Sequence, residues 1–470
     1  MSESALDKGF CIILYMKPNI NKRDGGKKMK KMLMFLFVSV LSFSLVACGG
    51  NSEEGSTSSK KEKLTIWSFT DELQGAIDVF EERHDVEVEL TIVPIEDYPT
   101  RLRPVLESGQ GAPDIFTGEL VFIKDWIEQE YWETLSQDPY NVEDIKGDFV
   151  DYVFELGRNS KDEVKALSWQ TTPGGIFYRR SIAEEVLGTD DPDTIGEMLS
   201  TMEGLFEVGE KLKAAGYRLF PDEGAVRWFA QGEDPQPWVN ENNELIMSEG
   251  RINHFDYAKE LREKDLTAFA PEWSPAWFAA MDAPINYNAG WDAVDENASN
   301  EVEVFAYALP TWGLHSVLKL NTEETVGDWA VTNGPNPYFW GGTWLGIYSN
   351  SDKKELAWEF VKMMTHDEEF LTDWALDTGD VLSYLPVTDK IKDDFSDSFL
   401  GGQNNYTFFL EEAQSINPGL VTRYDQQIDG MFGNMVEEYI EGARTKEEAI
   451  QEFYNLVRNA YPQIKTPDQQ

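Results

Sequence analysis

Hydrophobic and polar positions change period several times along the chain, and each change predicts an element. Residues 63–70 (KLTIWSFT) alternate β-branched and aromatic positions, the period-two signature of a strand. Leu73, Ile77 and Phe80 then recur at helical spacing and predict a helix over 73–83. Asp85 to Val93 alternates strictly, which gives a second strand. Residues 98–108 read as a helix, and Gly109 to Phe116 as a tight turn into a third strand. Strand, helix, strand, helix, strand is the pattern of a parallel α/β sheet. In such sheets ligands bind beyond the carboxyl ends of the strands. Trp67 lies in the second half of the first predicted strand, and Asp71, Glu72 and Glu119 fall just past predicted strand ends, so all four are candidate site residues.

The pattern continues less evenly. A helix is expected over 125–133, an extended run over 166–178, and helices over 180–187 and 194–215. Residues 222–245 are irregular and rich in Trp and Pro. Residues 276–289 read as a strand that delivers Gly290-Trp291-Asp292. Another strand covers 302–310 and ends in Leu-Pro-Thr-Trp, and 314–335 reads as loop. A strand follows over 341–348. Residues 352–365 form an amphipathic helix with Leu356, Phe360 and Met363 on one face. From Phe409 onward the pattern is helical, with 437–458 a charged helical pair.

Ahead of all this stands a different kind of segment. Lys27, Lys28, Lys30 and Lys31 precede an apolar run from Met32 to Ser44, and Leu45-Val46-Ala47-Cys48 closes it. A basic start, a short apolar core and a small-residue site make a secretory signal peptide, expected here over 29–47. The apolar run is too short for a stable membrane span. The cysteine at its end resembles the lipobox of bacterial lipoproteins, which implies that Cys48 is lipid-modified. Residues 1–28 read as translated upstream sequence, with the start at Met29 or Met32. Residues 48–62, rich in Gly, Ser and charge, read as a flexible tether. The expected location is the outer face of the cell membrane.

Composition narrows the function. The chain carries 40 Lys and Arg against 85 Asp and Glu, a formal charge of −45. Binding to nucleic acid needs a basic surface, so that class is excluded. An anionic ligand is disfavoured for the same reason. Cys11 and Cys48 are the only cysteines, and the four histidines are scattered. Disulfides, thiolate metal sites and cysteine nucleophiles therefore drop out. The sequence has no phosphate-binding loop, dinucleotide fingerprint or nucleophile elbow. No cofactor or metal is expected. Fifteen Trp in an exported chain suggest carbohydrate, because sugar rings present C–H faces that pack on indole.

Five blocks of sequence, in this order, resemble the extracellular solute-binding proteins of ATP-driven sugar importers, the family that includes maltodextrin-binding protein. They are Leu64-Thr-Ile-Trp67 with Asp71; Gly111-Ala-Pro-Asp114-Ile; Ala166-Leu-Ser-Trp169 leading to Ile176-Phe-Tyr178; Met281 to Trp291 followed by Ala308-Leu-Pro-Thr311; and Gly342 to Phe360. The resemblance implies a periplasmic-binding-protein-like fold of two α/β lobes joined by crossing strands, with ligand trapped by hinge closure. The first lobe would take 63–170 and 313–383, the second 171–312 and 384–470. Trp291 would be the main stacking platform. Trp344, Trp67, Trp340, Trp169, Gln170 and Tyr178 would join Asp71, Glu72 and Glu119 as ligand-binding residues. The sequence departs from the family at Glu72, where maltodextrin-binding protein has a basic residue, and at Arg179-Arg180, so maltose is not implied.

The expected function is capture of a carbohydrate, an oligosaccharide above all, by a monomeric lipoprotein. It would hand the sugar to membrane permease subunits, with ATP used by their ATPase partner. Two alternatives stand beside it: an anchored glycoside hydrolase, which needs two opposed carboxylates about 5–10 Å apart, and a binding protein for a non-sugar solute.

Overall fold

The computed structural model describes residues 61–469 except Ala289 and residues 292–299. The expected leader, signal peptide, Cys48 and most of the tether lie outside the described residues.

Among the described residues nine strands form three sheets: β1 (Glu62–Ser68), β2 (Val86–Ile92), β3 (Ile115–Glu119), β4 (Gly174–Arg179), β5 (Ile285–Asn286), β6 (Glu301–Val302), β7 (Ala306–Pro310), β8 (Trp329–Thr332) and β9 (Thr343–Ile347). The first sheet runs β2-β1-β3-β9. Its first three strands are parallel, as the alternating pattern predicts, and β9 pairs antiparallel with β3. Helices Gln74–Arg83 and Tyr98–Ser108 supply the crossovers. Leu64 and Ile66 of β1 meet Ile77, Phe80 and Phe360 in one core. On the other face Phe116, Trp126, Trp132 and Trp344 form another.

The second sheet, β7-β4-β8, is antiparallel. Helices Met202–Ala215, Val226–Glu233, Glu249–Glu263, Asp425–Ile440 and Lys446–Ala460 pack around it through Leu205, Phe229, Phe255, Phe432 and Phe453. The chain passes between the sheets where three segments lie side by side. Thr311 N–H donates to the Pro173 carbonyl at 3.1 Å, Gly174 N–H to Tyr338 at 2.8 Å, and Trp340 N–H to Thr172 at 3.1 Å. These bonds form a narrow backbone ladder. Gly174 is required within it. A Cβ there would stand 2.0 Å from the Tyr338 ring.

Several sequence expectations are corrected. Residues 276–289 hold no long strand: a short helix, Pro275–Ala279, comes first, and only β5 remains. Ser274 caps that helix by accepting from Trp277 N–H at 3.1 Å, and Pro275 opens it, so start signals outweigh the apolar run. The expected loop 314–335 contains a π-helical turn, Leu314–Leu318, and then β8. The irregular stretch 222–245 contains the helix Val226–Glu233. The helix expected over 125–133 is instead Leu120–Ile127, because the Glu119 carboxylate caps Val121 N–H at 2.7 Å. The helical run 194–215 is two helices, broken where Thr201 caps the second. β8, within the block expected for the first lobe, pairs with β4.

Candidate functional site: a tryptophan cluster between the sheets

Four indoles meet beside the crossing segments. Trp312 follows the end of β7, and Trp340 lies between β8 and β9. Trp228 stands on the helix Val226–Glu233. Trp273 hangs from a loop in which the Ala268 and Ala270 N–H groups donate to the Phe220 and Pro221 carbonyls. Ring centroids are 5.0 Å apart for Trp228–Trp340, 5.3 Å for Trp312–Trp340, 5.7 Å for Trp273–Trp340 and 6.3 Å for Trp273–Trp312. These spacings lie in the range of favourable aromatic pairs. All four side chains are only partly buried.

Local chemistry fixes them. Trp312 Nε1–H donates to the Trp340 carbonyl at 2.9 Å. Thr172 Oγ1 donates to the Gly341 carbonyl at 3.0 Å, and Gly341 has φ +74°. A Cβ on Gly341 would stand 2.9 Å from Trp312 Nε1 and 3.5 Å from a Glu119 carboxylate oxygen, so glycine lets indole and carboxylate converge. Arg227 places its guanidinium 4.3 Å from the Trp228 ring and 5.1 Å from that of Trp340. The same guanidinium binds Glu272 at 3.0 and 3.3 Å. Trp228 Nε1–H is enclosed without a partner.

The carboxylates around the cluster are held partly against ionisation. Glu119 is 6% exposed, and burial pushes its pKa up to about 7 despite donation from backbone N–H groups. Asp222 is 9% exposed and lies well above the ordinary range, first from burial and then from the neighbouring Glu272 and Glu223 charges. Arg262 takes up Glu223 at 2.7 Å.

The residues singled out in the sequence divide into three groups. Glu119, Trp340 and Glu72 stand at or beside the cluster. Glu72 accepts from Ser316 at 3.1 Å and lies 3.6 Å from His315, on the turn that follows Trp312. Burial disfavours the His315 cation, but the Asp380 charge and Glu72 prevail and raise its pKa. Asp71 precedes Glu72, and burial raises its pKa too. Trp67 packs partly buried beside the core around Phe116, its carbonyl accepting from the Tyr98 hydroxyl at 2.8 Å. Gln170 is buried on the crossing segment, and its Nε2 has no partner.

A second group is core. Trp344 is 1% exposed and donates to the Val153 carbonyl at 3.0 Å. Trp169 donates to Asp380 at 3.1 Å, and the Tyr178 hydroxyl to the Asp190 carbonyl at 2.7 Å. Each has spent its polar atom inside the fold. Trp291 alone makes the third group. It is 52% exposed, next to residues that are not described. Trp228, Trp273, Trp312, Arg227 and Glu272 are additions of the structure. Trp312 carried a usable signal, since it follows the predicted strand that ends at Pro310.

The family of bacterial extracellular solute-binding proteins matches residues 75–399. The galactooligosaccharide-binding protein of Bacillus subtilis (strain 168) is 34% identical over 95 residues, 19% of this chain. That match spans only 22% of the relative's length. Among solved structures, the binding protein of Bifidobacterium animalis subsp. lactis Bl-04 in complex with β-1,6-galactobiose is 18% identical, with a TM-score of 0.66 over 87% of this chain and 100% of that one. The GacH receptor of Streptomyces glaucescens, solved unliganded and with acarbose, is 15% identical, with a TM-score of 0.66 over 86% and 100%. These likenesses establish the two-lobed α/β fold. With the family match over most of its length, the chain belongs to the bacterial extracellular solute-binding proteins.

Proposed function

We propose that this protein captures a carbohydrate, an oligosaccharide above all, between its two lobes and delivers it to the permease of an ATP-driven importer. The observation that carries the reading is the tryptophan cluster. Four indoles from separate segments of the chain gather beside the crossing segments, with carboxyl groups beside them. Indole faces suit the C–H faces of sugar rings, and carboxyl groups exchange hydrogen bonds with sugar hydroxyls. The sugars named for similar proteins agree with this reading. The lobes would close on the sugar by hinge motion at the crossing segments, and the protein would act as a monomer without catalysis. A lipid on Cys48 would hold it at the outer face of the membrane, with residues 48–62 as tether.

A thermal-shift screen against galacto-, gluco- and xylo-oligosaccharides tests this, with reducing ends assayed in the same wells. The expected result is a shift with one sugar series and no new reducing ends. Turnover would make the protein a glycoside hydrolase, and no shift with any sugar would refute carbohydrate capture.

A further inference from the structure

Just after Trp312 the chain makes its π-helical turn, Leu314–Leu318. Such turns are rare and gather at functional sites. His315 lies on it, its side chain 12% exposed. Two adjacent residues of the turn reach one carboxylate oxygen. Ser316 Oγ donates to Glu72 Oε1 at 3.1 Å, and His315 Nε2 stands 3.6 Å from the same atom. At that distance the histidine contact is an ion pair and not a hydrogen bond, so it depends on the charge of the ring.

Asp380 acts on the same ring. It is fully buried and accepts from the Trp169 indole at 3.1 Å. It also opens the stretch that pairs with the crossing segment holding Thr172. There Thr171 N–H donates to the Val381 carbonyl at 2.8 Å, and Ser383 N–H to that of Trp169 at 2.7 Å. His315 therefore stands between the exit of one crossing segment and the backbone partner of another.

The charges around it come from three elements. Glu72 lies on the loop after β1, Asp380 just past the helix Glu368–Thr378, and Lys319 on the next turn of the run that carries His315. Lys319 opposes the cation but is itself taken up by Asp397 at 2.8 Å. Burial disfavours the imidazolium, yet the two carboxylates prevail, so the folded ring keeps its proton above the ordinary 6.5. The ion pairs are intact below about pH 6.5 and are lost as pH rises through the folded pKa. Asp380 then loses a cation that compensates its burial, a costly state for an enclosed carboxylate.

We propose that His315 is a positioning residue whose cation clamps the turn after Trp312 to Glu72 and Asp380, holding the tryptophan cluster in its binding arrangement, so that ligand affinity falls as rising pH removes the proton. This rests on the carbohydrate reading above and adds a control of that same site.

The test is NMR titration of the histidine rings of the full chain, free and saturated with the sugar that shifts its melting. Burial holds His254 down to about 3 and His366 to about 4, well below the range scanned, and His84→Gln removes the other ring. The His315 midpoint should lie above 6.5 and drop by about one unit in Glu72→Gln. Coupling is reciprocal, so sugar that prefers the clamped form must raise the midpoint, by about 0.7 unit for an affinity that falls about fivefold across the titration. Isothermal titration calorimetry should show that fivefold fall in the wild type and lose it in His315→Gln. Any pH dependence that Glu119 brings is common to both proteins and cancels in their ratio. A midpoint at or below 6.5 would overturn the clamp. A raised midpoint that sugar leaves in place would make His315 structural only and overturn its link to binding. These midpoints are read on the native ring, so they decide even where His315→Gln does not fold. A protein that binds no sugar refutes carbohydrate capture and the link with it, while the midpoint of the free protein still decides the clamp.

Discussion

Trp344 and Trp291 share a side chain and differ in everything around it. Trp344 lies in β9, where every residue is buried, so the alternation that separates core from solvent in a one-sided strand gives no warning. Trp344→Ala should cost about 3–5 kcal/mol of unfolding free energy. Trp291→Ala, at an exposed position, should stay within about 0.5 kcal/mol. Urea titration of both variants at one pH checks the contrast. Glu119 sets a pH dependence. Its folded pKa, about 7, lies above the ordinary 4.5, so the folded state holds a proton that the unfolded chain has lost. Stability from this group is fully present below about pH 4.5 and is lost as pH rises towards and through 7, up to about 3 kcal/mol. Glu119→Gln should remove that fall. Unfolding free energies of both proteins at pH 5, 6, 7 and 8, run side by side, would show it.

Among the elements, Gly174 makes the clearest demand. A methyl group there must displace the Tyr338 ring, which stacks on Trp228 at 5.4 Å and 12°. Gly174→Ala should destabilise the fold by about 1–3 kcal/mol through overpacking, read as a lower melting temperature. The legibility of the elements follows from their surroundings. β1, β2 and β3 with their two helices were readable because each has its own unbroken period. The stretch 276–289 misled because its apolar residues serve a short helix, whose start at Ser274-Pro275 is a local signal. β8 was hidden in a stretch read as loop. It has four residues, all buried, and only its partner β4 marks it as a strand. Of the site, carboxylates past strand ends could be foreseen. The meeting of Trp228, Trp273 and Trp312 could not, because no period joins residues 84 positions apart in sequence and brought together only by the crossing of the chain.

At the scale of the whole molecule, a net charge of −45 opposes compaction through self-repulsion. Salt shortens the reach of that repulsion, from about 30 Å at 0.01 M to about 8 Å at 0.15 M. The melting temperature should therefore rise by a few degrees over that range in scanning calorimetry, even though individual surface ion pairs weaken. The crossed indoles of the tryptophan cluster have an optical consequence. Trp312 and Trp340, with centroids 5.3 Å apart and planes at 69°, share their excited states, so the empty protein should show an exciton couplet in its circular dichroism. Any guest that drives the rings apart weakens that coupling. The protein thus carries its own label-free gauge of occupancy, readable in solution without an attached dye.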